Sequence, residues 1–102
     1  MSVHFTVSDN KQEVRVTISG RFDFEMHDQF GSVLESVQKM GNARYMIDLG
    51  AVQDIDSSAI GMLLLLRDLA GGNQARVELI RCQPEIKDEL SMANLDKMFT
   101  IV

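Results

Sequence analysis

Asp48-Leu49-Gly50-Ala51-Val52-Gln53-Asp54-Ile55-Asp56-Ser57-Ser58-Ala59-Ile60-Gly61 reads as the end of a strand, a tight acidic loop and the start of an apolar helix. The helix continues through Met62, the leucines at 63–66 and on to Ala70, where Gly71-Gly72 stops it. Upstream, residues 43–49 are rich in apolar side chains without clean alternation, as expected of a central strand covered on both sides. Strand, loop and helix in that order form half of a parallel crossover unit, which decides the fold class as α/β.

Working outward toward the N-terminus, Val3, Phe5 and Val7 alternate with His4, Thr6 and Ser8, and the alternation resumes after Asp9-Asn10-Lys11 with Val14, Val16 and Ile18. This predicts a hairpin, with Asp9 and Asn10 tolerating a tight connection and Gly20 ending the second strand. From Phe30 onward, Val33, Leu34 and Val37 share one helical face opposite Ser32, Glu35, Ser36 and Gln38, and Gly41-Asn42 closes that helix. Toward the C-terminus, residues 76–82 form a strand, Pro84 opens a third helix running to about Ala93, and residues 98–102 supply a last short strand. The order is β-β-α-β-α-β-α-β: a mixed open sheet with an N-terminal hairpin and helices packed against it.

The bulk properties narrow the function. A length of 102 residues fits a single domain, and 45% hydrophobic against 25% charged residues is the balance of a globular chain. The net charge of −5, with its few cations scattered, argues against nucleic-acid binding. The lone Cys82 has no partner for a disulfide and reads as a small buried apolar group, which points to a reducing compartment, the cytoplasm. The N-terminus lacks the basic opening and apolar stretch of a secretory signal, and the apolar run at 60–66 is far short of the ~20 residues that span a bilayer. No direct membrane insertion is expected.

Ser57 sits where a helix begins. The N–H groups there lack internal partners and the peptide dipole favours negative charge, so a phosphoryl group on Ser57 would be accommodated. It would add about −1.5 to −2 charges at pH 7 beside Asp54 and Asp56. Asp and Ser are equally the best residues for capping an ordinary helix, so capping chemistry alone leaves both roles open. His4 and His27 have no Cys or His at metal-binding spacing, so no metal or other cofactor is expected. No Gly-x-Ser-x-Gly elbow surrounds Ser57, which argues against a hydrolase and against an enzyme generally. Met26, Met62 and Met92 could line a partner surface, although core packing is the more frequent outcome.

Asp56-Ser57-Ser58-Ala59-Ile60-Gly61 after a strand ending Ile47-Asp48-Leu49 closely resembles the signature of the STAS domain, the sulfate-transporter and anti-sigma-factor-antagonist family. Gly20-Arg21-Phe22-Asp23 matches the family's Gly-x-x-Asp pattern before the first helix, and the element order, the length and the late Pro84 are also alike. The resemblance covers residues 1–102, one STAS domain. It implies a free-standing anti-sigma factor antagonist, a partner-switching regulator with Ser57 as phosphoacceptor and Ser58 at the following hydroxyl position. Asp23, Asp54, Asp56, Ser58 and Met62 would shape the site and the docking face. The implied partners are a serine-kinase anti-sigma factor, bound in the unphosphorylated state, and a metal-dependent serine phosphatase; the chain itself would be a monomer or weak dimer. The sequence departs from the family at Ala59, where Gly is usual, which favours a stiffer helix start. The alternative the resemblance leaves open is a STAS subunit docked permanently on an ATPase or transporter, with Ser57 unmodified.

Overall fold

The computed structural model describes residues 2–10 and 12–102. Met1 and Lys11, which the sequence reading placed at the N-terminus and in the hairpin turn, lie outside the described residues. Strands β1 (Ser2–Val7) and β2 (Glu13–Phe22) form the antiparallel hairpin, in register from Ser2 opposite Ser19 to Val7 opposite Val14. Asn10 secures the turn through its side chain, whose Oδ1 accepts from the Gln12 N–H at 3.0 Å and from the Ser8 hydroxyl at 2.7 Å. Helix α1 (His27–Met40), strand β3 (Arg44–Ile55), helix α2 (Ser57–Leu69), strand β4 (Arg76–Ile80), helix α3 (Pro84–Met92) and strand β5 (Thr100–Ile101) follow. The sheet order is β1-β2-β3-β4-β5, and every pairing after the hairpin is parallel. The mixed α/β architecture expected from the sequence is the one observed.

Several boundaries differ from expectation: α1 starts at His27 rather than Phe30, β4 ends at Ile80 rather than Cys82 and β5 covers only Thr100–Ile101, while the ends of β2 and β3 shape the site. β2 does not end at Gly20 but passes through it with φ at 90° and continues to Phe22, whose buried ring lies 5.4 Å from that of Phe30. A positive φ is open to glycine without the steric cost other residues carry. β3 does not end at Leu49 either: residues 50–55, read as a loop, are strand. Two irregularities against β2, one between Asp48 and Ala51 and one between Val52 and Asp54, each insert one extra residue on β3. They turn Leu49, Val52 and Ile55 toward the core at a spacing of three, which hides the strand from any search for period two.

The core lies between the sheet and the helices. Val14, Val16 and Ile18 from β2, Tyr45 and Ile47 from β3 and Leu79 from β4 meet Phe30 and Val37 of α1, Leu63 and Leu66 of α2 and Leu90 of α3 in one cluster. Successive right-handed crossovers that always advance in the same direction across a sheet place every helix on one face. The sequence reading of β3 as covered on both sides is therefore corrected. Its second face carries Arg44 and Met46, neither of them buried, beside Arg15 of β2 and Glu78 of β4.

Cross-strand ion pairs order that open face. Arg44 donates to Glu78 at 2.9 and 3.0 Å and to Glu13 at 3.3 Å. Asp48 is the one buried charged residue among those described; it accepts from Arg15 at 3.0 Å and from the Gly50 N–H at 2.9 Å, with the Arg81 guanidinium 3.4 Å away. Burial pushes the Asp48 carboxyl up, but these donors and cations outweigh it and hold the group below its ordinary value. A Cβ on Gly50 would come within 2.6 Å of the Arg81 guanidinium, so a larger residue there would push that exposed side chain away from Asp48.

Candidate functional site

The end of β3 delivers the chain into α2 through Asp56, which is extended (φ −122°, ψ −178°) and therefore outside the helix while its side chain reaches into it. Asp56 Oδ1 accepts from the Ala59 N–H at 2.9 Å, a side-chain cap on the third helical residue. Its Oδ2 accepts from the Phe24 N–H at 3.3 Å, and its own N–H donates to the Phe22 carbonyl, also at 3.3 Å. One aspartate thus ties the start of α2 to the end of β2. Asp23 does the same for the short 3-10 turn before α1, Phe24–Met26, by accepting from the Glu25 N–H at 3.1 Å. The Gly-x-x-Asp and Asp-Ser-Ser segments, more than thirty residues apart, form one continuous patch.

Ser57 is the first residue of α2 and is exposed; Ser58 is half-buried. Because Asp56 supplies the cap, the Ser57 hydroxyl is not the group that holds the helix end. Asp54 is also exposed, but it belongs to the strand rather than a loop, with its carboxylate 3.7 Å from Arg21 on β2. Met62 requires a correction: at 6% exposure it is part of the core, because residues 59, 62, 63 and 66 make up the buried stripe of α2. Leu65, at 48%, is the exposed large apolar residue of that helix. Met26 is buried, whereas Met92 at the end of α3 is 84% exposed.

Around Ser57 the surface combines acid and apolar groups. A shallow depression of about 340 Å³ lies between the start of α2 and the end of α3, with Ser57 on its wall together with Ile55, Ile60, Glu89 and Met92. Phe24, 65% exposed and stacked on the His27 ring at 5.7 Å, stands on the β2 side of Asp56. Phe24 went unnoticed in the sequence because it falls off the 30, 33, 37 stripe that identifies α1. Its available signal was a large apolar residue directly after a capping Asp. His4 and His27 are both exposed, on β1 and at the start of α1. Cys82 is half-buried, and burial pushes its thiol up.

The family described as “Mlab, STAS domain” matches residues 5–102. The chain belongs to the STAS family. A STAS-domain containing protein of Pseudomonas aeruginosa strain UCBPP-PA14 is 42% identical over 101 residues, 99% of each chain. Among solved structures, an anti-sigma factor antagonist from Mycobacterium paratuberculosis superposes with a TM-score of 0.80 at 21% identity, over 98% of this STAS domain and 85% of that chain. The Bacillus cell fate determinant SpoIIAA in its phosphorylated form gives a TM-score of 0.73 at 14% identity, over 99% and 91% of the two chains. At these identities the structural likeness is one of fold. The STAS signature residues are the ones the fold gathers: Asp23 and Asp56 beside each other, with Ser57 on the adjoining surface.

Proposed function

We propose that this STAS domain is an anti-sigma factor antagonist, a partner-switching regulator whose state is set by phosphorylation of Ser57. The observation that carries the reading is the division of labour at the start of α2. Asp56 caps the helix, so the neighbouring Ser57 hydroxyl is exposed and can be esterified without removing a bond on which the fold depends. A phosphoryl group at that position meets the favourable end of the helix dipole, so the fold tolerates it. The same group places a strongly hydrated dianion among Asp54, Asp56 and an apolar depression, where a docked protein would have to displace its water.

In this reading the unphosphorylated domain binds a serine-kinase anti-sigma factor or related regulator through the surface around Ser57, with Asp23, Asp54, Asp56 and Ser58 shaping it. The kinase transfers the γ-phosphoryl group of ATP to Ser57 Oγ, ADP leaves and the complex dissociates. A metal-dependent serine phosphatase restores the hydroxyl. Ser57 acts as acceptor rather than nucleophilic catalyst, since no imidazole or amine lines the depression it faces. A cytoplasmic setting suits such a cycle, and no helix among the described residues is long and apolar enough to cross a membrane.

The test is to incubate the protein with its cognate kinase and ATP, map the modified residue by mass spectrometry, and compare Ser57→Ala with Ser57→Asp in pull-downs from native cells. Labelling at Ser57, retention of the regulator by Ser57→Ala and at least tenfold weaker capture by Ser57→Asp are expected. Equal capture by both variants of an ATPase or transporter would instead identify a constitutive subunit and overturn the switch.

A further inference from the structure

We propose that the depression between the start of α2 and the end of α3 is a docking groove for a basic amphipathic helix of the partner protein. This rests on the reading of the Ser57 surface as partner-facing and names the chemistry of what it receives. Ile55, Ile60 and Ala93 give the groove an apolar floor, and Met92 stands at its edge 84% exposed. A flexible, polarisable side chain left in water beside an apolar surface is suited to packing against a visiting one.

The walls are acidic. On α3, Glu85, Asp88, Glu89 and Met92 fall at i, i+3, i+4 and i+7, an exposed face that runs from carboxylates to the methionine. Asp56 closes the groove from the α2 side; Asp54, beyond the lining, is paired with Arg21 and adds little to the acidic wall. None of the residues lining the groove is basic, and Lys87, the one cation of α3, is not among them. An apolar floor between acidic walls is complemented by a helix carrying an apolar row flanked by Lys or Arg. It is poorly complemented by a second copy, whose own walls carry the same charge, or by an anionic lipid surface. Ser57 is part of the lining, so a phosphoryl group there would stand over the apolar floor.

The experiment titrates the isotopically labelled full chain with three synthetic peptides, followed by two-dimensional NMR. One peptide places Leu at i, i+3, i+4 and i+7 among Lys, a second replaces every Lys by Glu, and a third scrambles the first. Saturable shifts confined to the amides of Ile55, Ser57, Ile60, Glu89, Met92 and Ala93 are expected with the first peptide alone. Met92→Asp, Met92→Gln and Glu89→Lys alter exposed positions, and each should weaken binding at least tenfold with an unchanged circular dichroism spectrum. Equal binding by the scrambled peptide, shifts spread over other acidic surfaces, or full affinity in the Met92 variants would overturn the groove. So would a dimer in sedimentation that Met92→Asp converts to monomer. If the peptide arms fail while Ser57→Asp still loses its regulator, the groove is wrong and the phosphorylation switch stands. If the groove holds but Ser57→Ala and Ser57→Asp capture partners equally, the switch is wrong and the groove stands.

Discussion

Asp56 serves two helix starts with one carboxylate, and Ser57 beside it serves neither. Replacing Asp56 by Ala leaves the Ala59 and Phe24 N–H groups without their acceptor. Loss of a side-chain cap costs about 1 kcal/mol, and the second contact adds to it, so Asp56→Ala should lower the urea midpoint by an amount equivalent to roughly 1–2 kcal/mol. Ser57→Ala should change it by less than about 0.5 kcal/mol. Comparable losses in the two variants would show that the hydroxyl has a structural role. The sequence displays Asp-Ser-Ser at a helix start and so reveals that a cap is present. It does not say which oxygen is the cap, because the decision rests on the Phe22 and Phe24 backbone, which is distant in the chain and adjacent only after β2 and β3 have paired.

At the level of the elements, α2 shows where pattern reading works and where it runs out. Its start, its glycine stop and its apolar character are evident in residues 57–72. Its facing is not, because four consecutive leucines give no contrast between the core side and the water side. Packing resolves them: Leu63 and Leu66 are buried, Leu64 is half-buried and Leu65 is exposed. Leu63→Ala should therefore cost about 2–5 kcal/mol in chemical denaturation, whereas Leu65→Glu should leave stability within about 0.5 kcal/mol while weakening capture of the regulator. A denaturation midpoint for Leu65→Glu as low as that of Leu63→Ala would place both in the core. β3 is the harder case. Its extra residues break the alternation that marks a strand, and the same irregularities carry Asp54 and Ile55 to the edge of the Ser57 surface.

Across the whole molecule, helices cover one face of the sheet and a lattice of ion pairs orders the other. Asp48 is the buried member of that lattice, and its folded-state value lies below the ordinary one. The unfolded chain therefore binds the Asp48 proton more tightly than the folded one does. The stabilisation is complete above the unfolded value of about 3.9 and is lost as pH falls through the folded value. Asp48→Asn should cost roughly 1–3 kcal/mol at neutral pH and flatten the acid limb of the stability profile. A parallel displacement of the wild-type curve, with the acid slope intact, would assign that slope to other carboxylates. The overall architecture was legible because element order and crossover rules leave few topologies open. The charge pairing was not, since Arg15, Asp48 and Arg81 come from three separate segments and sit on the face that hydrophobic patterning ignores.

The strand order β1-β2-β3-β4-β5 has a consequence for biosynthesis. Each strand leaving the ribosome finds its template in the strand made just before it, so pairing can advance one strand at a time as each crossover helix is completed. Domains can begin to acquire structure during synthesis at roughly 5–20 residues per second, and here each parallel pairing must first close the crossover that carries its helix, the slow step for such a sheet. The domain can thus assemble from its hairpin toward its C-terminus, with the surface around Ser57 complete only when α3 settles beside α2.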